Sequence, residues 1–511
     1  MSLIKKLAGE TAIYGISSIL SRLVNWVILT PYLTRVFEPN AYGVINDLYF
    51  WIALLLVLFT YRMETAFFRF GRQARDINRS FTTATVSLLG TTILFTSVLL
   101  VFAQPIADLL KHPSHPEYVR WFVAIVAADA LAAIPFARLR LENRPIRFAM
   151  IKAFAIGVNI VLLFFFLEFC PRLIEKGATW VQAIYNEENR ILYVFVANFL
   201  VSVITLFMLL PIFFKIKVQR ESKVLDTNEQ EAESVLYFDR ALLRKMIIYS
   251  MPLVISAIAG IVNSLIGIPM LRFLASDAAA GIFSAASKLA VLMNLFTQAF
   301  NYAAEPFFFR HSEREDSKEV YAQVAQAFAI VGSVVFLGIM LYLDIIQYFL
   351  GEDFREGLGI LPILLIANLF LGLYYSISIW FKLSDKTTVG GVIAIGGSVI
   401  TLLINYFFIP NPDVGYYAPA WAALACYGFM LTACYVLGQR YFPIDYPVGR
   451  MLTYIALAVA LYALSEWLRM QWLENYILIL VINTALFIFY LFVLFKIERT
   501  FFGLIFKGKI K

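Results

Sequence analysis

The sequence predicts an all-α integral membrane protein of fourteen transmembrane helices: two six-helix lobes related by a parallel repeat, plus two C-terminal helices. Three observations predict it. Hydrophobic residues make up 61 % of the 511 and charged residues only 15 %, too little charge to cover a water-facing surface. The apolar residues gather into stretches of about 20, the length that crosses roughly 30 Å of hydrocarbon as a helix. The basic residues gather on one side of the resulting topology.

The expected spans of the first half lie near 11–34, 43–61, 82–104, 118–137, 148–168 and 191–214. Those of the second half lie near 247–271, 279–302, 322–344, 358–381, 388–409 and 417–438, followed by 451–468 and 475–495. Met1–Lys6 leads into a long span with a polar interior and no small-residue cleavage site, which reads as a first transmembrane helix and not a cleaved signal. With the N-terminus placed in the cytoplasm, cytoplasmic segments hold 31 of the 42 Lys and Arg, external segments nine, and span interiors two, Arg22 and Lys288. That bias is what the positive-inside rule requires, and a missed span would scramble it. Both termini are then expected in the cytoplasm. The net charge of +7 is explained by this topology and by anionic inner-leaflet lipid, without nucleic acid.

Residues 215–240 are the longest polar stretch, rich in charge and poor in apolar residues, and read as a cytoplasmic linker. The sequence therefore divides into an N-terminal lobe at 1–214, the linker, a C-terminal lobe at 241–440, and helices 13 and 14 with a basic tail at 441–511. A shift of 238 residues aligns Ser18 with Ser256, Asn25 with Asn263, Pro31 with Pro269, Ala41 with Ala279 and Gly43 with Gly281, among nine ungapped identities over 18–54. ETAFFR at 64–69 faces AEPFFFR at 304–310. Repeats of six spans both begin on the cytoplasmic side, so they are parallel, and a cleft is expected between the lobes.

Pro31 and Pro269 each remove a helical hydrogen bond and tend to kink their helix. Together with Gly43 and Gly281 they are candidate hinge residues. Asn25 and Asn263, six residues before each proline, are either interhelical glue or cleft lining. Arg22 and Lys288 are cations inside spans, where an unpaired charge costs from about 3 to well over 10 kcal/mol, so each must face protein or a watery cavity. Asp129 sits mid-span and is open to three readings: an ion-coupling group, a partner of Arg22, or a hydrogen-bonded buried acid. Asp47, four residues into span two, is a weaker coupling candidate that would be wet at the external end. Two cations with few anions point to an anionic substrate, since Arg grips phosphate oxygens in bidentate fashion.

Several function classes lack their residues. Cys170, Cys426 and Cys434 have no metal-type spacing, and only three histidines occur, so no metal or hydrolase constellation emerges. No glycine-rich phosphate loop follows a strand. The external loops are too short for a folded catalytic domain.

The segments GETAIYGISSILSR at 9–22, LTRVFEPNAYG at 33–43 and AAAGIFSAASKLA at 278–290 resemble the O-antigen and capsule flippase branch of the multidrug/oligosaccharidyl-lipid/polysaccharide exporter superfamily. The resemblance spans nearly the whole chain, and its motifs are diffuse. It implies movement of an undecaprenyl-pyrophosphate-linked oligosaccharide from the cytoplasmic to the periplasmic leaflet of a bacterial inner membrane by alternating access. The partners it implies are that anionic lipid-linked glycan, membrane lipids and other glycan-assembly membrane proteins. No cofactor is expected, and H+ or Na+ coupling stays open. In the similar lipid II flippases, basic residues of the first and eighth helices line the cleft, a role that falls here on Arg22 and Lys288. Those flippases also carry an arginine in the second helix, where this sequence has Asp47 and no arginine before Arg62. By the same analogy, spans thirteen and fourteen would form a groove for the lipid tail. Two rivals remain: a cation-coupled multidrug exporter of the same superfamily, usually with twelve spans and acidic cavities, and a membrane polymerase or ligase, usually with a large catalytic external loop.

Overall fold

The computed structural model describes residues 23–24, 26–73, 77–142, 144–183, 185–221, 238–311, 317–384, 386–471 and 475–498. Among them are thirteen helices long and apolar enough to cross a membrane, and no strand. The thirteen correspond one to one with the expected second to fourteenth spans. The first expected span lies largely outside the described residues, which take it up as helix over 26–36.

Two compact units divide the chain. The first comprises Met1–Val36 and Ala41–Pro269; the second, Phe37–Asn40 and Met270–Lys511. The first unit contains α1 (Pro39–Thr60), α2 (Met63–Gln73), α3 (Ile77–Val101), α4 (Pro116–Leu141), α5 (Pro145–Phe164), α6 (Arg190–Glu221) and α7 (Arg240–Leu265). Prolines open α1, α4 and α5, where the missing N–H would have had no helical partner in any case. Helix α4 is the centre of this unit and packs on both α3 and α6. Its run of Ala124, Ala127, Ala128, Ala130, Ala132, Ala133 and Ala137 lets neighbouring backbones approach, the usual route to tight packing where lipid supplies no hydrophobic drive.

Helix α1 ends abruptly because Tyr61 and Arg62 adopt left-handed φ values of 33° and 56°. The chain then turns into α2, an amphipathic segment whose Met63, Ala66 and Phe67 are fully buried at helical spacing. Helix α7 is capped by Asp239, whose carboxylate accepts from the backbone N–H of Ala241 at 2.8 Å and of Leu242 at 3.0 Å. It packs on α2 and α3: Tyr249 meets the Phe70 ring edge-on and the Arg69 guanidinium at 4.4 Å. Arg79 pairs with Asp239, and the Asp239 N–H donates to Thr83 Oγ1 at 3.1 Å.

The second unit contains α9 (Asp277–His311), α10 (Ser317–Leu341), α11 (Leu361–Ile377), α12 (Thr387–Phe408), α13 (Ala418–Tyr441), α14 (Val448–Gln471) and α15 (Tyr476–Ile497), after the short α8 (Gly267–Leu274) at its border. Helix α13 packs on α11 and α12. The fit is close enough that a Cβ at Gly397 would lie 2.8 Å from Cys426 Sγ. Cys426 and Cys434 are buried packing groups of this interface.

Buried polar bonds fasten α14 and α15 to α10. The Tyr490 hydroxyl lies 2.7 Å from Ser333 Oγ and 3.0 Å from the Tyr454 carbonyl, with its one proton shared between them. Asn483 donates to the Leu341 carbonyl at 2.7 Å. Tyr454 donates to Glu498 and accepts from Gln326 Nε2 at 3.1 Å. An unmet polar group in this setting costs about 1–3 kcal/mol, so the network fixes the register of both trailing helices.

At the 238-residue spacing, α1 begins at Pro39 and α9 at Asp277, and Gly43 and Gly281 fall at the fifth residue of each. Both glycines are buried.

Candidate functional site

Helix α5 enters at Pro145 and carries Phe148 and Lys152 on its first two turns, facing the last turns of α4. The end of α1 and the left-handed turn at Tyr61 and Arg62 complete an open cavity of about 300 Å3 within the first unit. Its charged lining is Arg62, Glu64, Asp129, Arg140 and Lys152; Phe136 and Phe148 form part of the apolar wall. Arg62 Nη1 lies 3.4 Å from Glu64 Oε1. The Arg140 guanidinium stacks over Phe68 at 4.8 Å and Phe148 at 5.9 Å, and the Lys152 ammonium lies 4.3 Å from the Phe136 ring centre. Such cation–π contacts are worth about 0.5–2 kcal/mol each and hold long side chains in place.

Asp129 is half-buried on this wall. Ser202 of α6 and Lys152 are its polar and charged neighbours. Arg22, its other expected partner, lies outside the described residues, as does Asn25.

The remaining candidates are spread over the two units. Asp47 is 0 % exposed on α1 and does not line the cavity, so burial replaces the wet position expected for it. Asn46 beside it donates to the Tyr42 carbonyl at 2.8 Å. Asn263 is buried near the end of α7. Pro269 is buried in α8, and the chain breaks helix between Leu265 and Gly267. The break falls at the carbonyl that a proline at 269 cannot engage, four residues earlier, which is the physical origin of the interruption. Pro31 is partly exposed within helical residues 26–36. Lys288 is half-buried in the third turn of α9 in the second unit.

Arg62, Glu64, Arg140 and Lys152 were legible only as topological charge. Their convergence comes from the turn at Arg62 and from the α4–α5 corner, neither of which has a glycine to mark it. A fourth basic residue, Arg138, is structural. It is buried, with Nε 2.6 Å from Glu142, Nη2 donating to Asn78 at 2.9 Å, and Cζ 4.6 Å from the Phe81 ring centre.

Comparison with known proteins finds a family model, described as polysaccharide biosynthesis protein, that matches residues 7–312. No curated protein matches the sequence. Among solved structures, "Lipid II flippase MurJ, inward closed conformation" aligns with a TM-score of 0.69 at 11 % identity, covering 94 % of this chain and 98 % of that one. A multidrug resistance MATE family transporter of the MOP superfamily, in an inward-facing conformation, gives 0.58 at 13 % identity, covering 84 % and 94 %. The eukaryotic MATE transporter AtDTX14 gives 0.53 at 10 % identity, covering 88 % and 97 %. The fold is the one these proteins share.

Proposed function

The chain belongs to the polysaccharide biosynthesis protein family, and from that membership we propose that it is a flippase for surface-polysaccharide assembly. Its substrate would be an undecaprenyl-pyrophosphate-linked oligosaccharide, carried from the cytoplasmic to the periplasmic leaflet of a bacterial inner membrane by alternating access. Both termini would lie in the cytoplasm, as the bias of Lys and Arg favours. The observation that carries this reading is the family match over residues 7–312; the polytopic fold agrees with it.

Arg22 and Lys288 are assigned to the pyrophosphate, because a cation within a membrane span is retained only where it meets an anion, a dipole or water. Asn25 and Asn263 would bind the glycan or neighbouring helices. Pro31, Pro269, Gly43 and Gly281 would serve as hinges, for which the helix break before Pro269 gives a local basis. Asp129, beside Ser202 and Lys152, would couple the cycle to a cation gradient, with Asp47 a second candidate.

Lys288 provides the test. Lys288→Arg keeps the charge and should retain surface polysaccharide, whereas Lys288→Glu should abolish it at an equal level of inserted protein. Equal polysaccharide from both variants would remove Lys288 from the substrate path. Drug efflux by the wild type with no effect on surface glycan would favour the multidrug reading suggested by the shared fold.

A further inference from the structure

We propose that the cavity of the first unit is a phosphoryl-binding vestibule, in which Arg62, Arg140 and Lys152 receive the phosphate of a lipid headgroup. No residue of this site belongs to the pair Arg22 and Lys288. The two sites would act on the same class of anion at different places along the chain.

Four observations converge. First, three cations from three separate elements line one cavity of about 300 Å3. Its two acids have local neighbours: Glu64 pairs with Arg62, and Asp129 lies beside Ser202 and Lys152. The lining therefore carries a net positive charge.

Second, two of the cations are held over aromatic rings, Arg140 by Phe68 and Phe148, and Lys152 by Phe136. A cation held over a ring is restrained without spending its N–H donors on that ring. Both side chains are exposed at the cavity.

Third, Arg62 is presented by a strained turn. Two successive residues that are not glycine hold left-handed backbone at Tyr61 and Arg62, a conformation that costs about 1–2 kcal/mol per residue. Strain of this kind persists where surrounding structure enforces it, and it concentrates at ligand clamps.

Fourth, part of the lining is apolar, Leu56, Val57 and Ala133, and a less polar wall strengthens the attraction between the cations and an anion.

The shared ligand chemistry is a phosphoryl group on a lipid. Its source is either the pyrophosphate headgroup of the exported substrate or an anionic phospholipid of the surrounding leaflet. Only the first source rests on the proposed export function.

The test uses the full chain in nanodiscs of phosphatidylcholine, titrated with inorganic pyrophosphate. Arg140→Gln and Lys152→Gln should each weaken binding about tenfold or more, as loss of a charge-assisted bond implies. Arg140→Lys should recover part of the loss, and Arg120→Gln, on an exposed residue remote from the cavity, should match the wild type. In the wild type, pyrophosphate should also protect Lys152 from an amine-acylating reagent, read by mass spectrometry, so the result survives any variant that fails to fold. Unchanged affinity in both glutamine variants, or no protection of Lys152, overturns the proposal.

Two lipids then separate the sources. Competition by undecaprenyl pyrophosphate but not by phosphatidylglycerol assigns the vestibule to the exported substrate. Equal competition by both keeps the phosphoryl site and removes its link to export. If pyrophosphate binding survives in a chain shown not to move lipid-linked glycan, the site stands while the proposed function falls.

Discussion

Tyr454→Phe removes a single oxygen from the hub that joins the trailing helices to the rest of the second unit. That hydroxyl donates to the Glu498 carboxylate and accepts from Gln326 Nε2 at 3.1 Å. Tyr454, Gln326 and Glu498 are 1 %, 7 % and 5 % exposed, so water cannot readily replace the lost partner. A hydrogen bond to a charged group contributes about 1.5–3 kcal/mol, and the orphaned Gln326 donor adds about 1–3 kcal/mol. The remaining counter-charge for Glu498 is Arg450 at 3.8 Å, whose side chain is largely exposed, which returns little. The expected net loss is about 2.5–6 kcal/mol. For a cooperative unit of the size of Met270–Lys511 that corresponds to a Tm lowered by roughly 5–12 °C. Thermal unfolding of purified protein in detergent, followed by tryptophan fluorescence, measures it. The double variant with Glu498→Gln should lose less than the sum of the single variants, because both remove the same bond. A Tm within about 1 °C of wild type for Tyr454→Phe would refute the hub.

Gly372→Ala would drive a Cβ into Phe328 Cζ and place it 2.8 Å from Thr297 Oγ1; overpacking should cost about 1–3 kcal/mol, and Phe328→Leu in the same chain should restore part of the lost Tm. Arg138→Met removes the bond to Asn78 and one of the two cations on Glu142, which keeps Arg144 at 3.1 Å, and should cost about 1–3 kcal/mol, whereas loss of the exposed Arg172 should leave the Tm unchanged. The Asp239 carboxyl is held below the usual carboxylate range, chiefly by the Leu242 N–H and then by that of Ala241 and the charge of Arg79. A lowered native pKa means stability present above the ordinary carboxylate range and lost as pH falls through the lowered value. Asp239→Asn, which keeps the cap and removes the charge, should therefore be less stable by about 0.5–1 kcal/mol at pH 7 and low salt. The difference should close on acidification; a pH-independent difference would contradict the assignment.

The spans were legible because crossing hydrocarbon imposes one length and one composition on every helix, and thirteen of the expected fourteen have described counterparts. Pro39 and Asp277, 238 residues apart, both open helices, as the spacing of the sequence identities leads one to expect where helix starts are set by local chemistry. The break before Pro269 follows from the proline itself. Tertiary convergence was not legible. Arg62, Arg140 and Lys152 are separated in sequence and carry the same charge signal as any cytoplasmic flank, so only the turn at Tyr61 and the α4–α5 corner reveal that they share a cavity. Helix α7 opens the second repeat of the sequence, yet its Tyr249 and Asp239 seat on α2 and α3. Amphipathic pattern shows that a helix has a partner and leaves the partner unnamed. Asp47, from sequence either a coupling candidate or simply a wet acid near a span end, is fully buried, because neighbouring helices, not depth, decide exposure.

Export of a lipid-linked glycan is tested most directly by the sidedness of that glycan in cells. An impermeant glycan-labelling reagent applied to spheroplasts reports the fraction of undecaprenyl-pyrophosphate-linked oligosaccharide in the outer leaflet. With the chain deleted, that fraction should collapse while the total lipid-linked pool rises, and expression of the wild type should restore both. An unchanged outer-leaflet fraction in the deletion, with the total pool intact, would contradict the flippase reading.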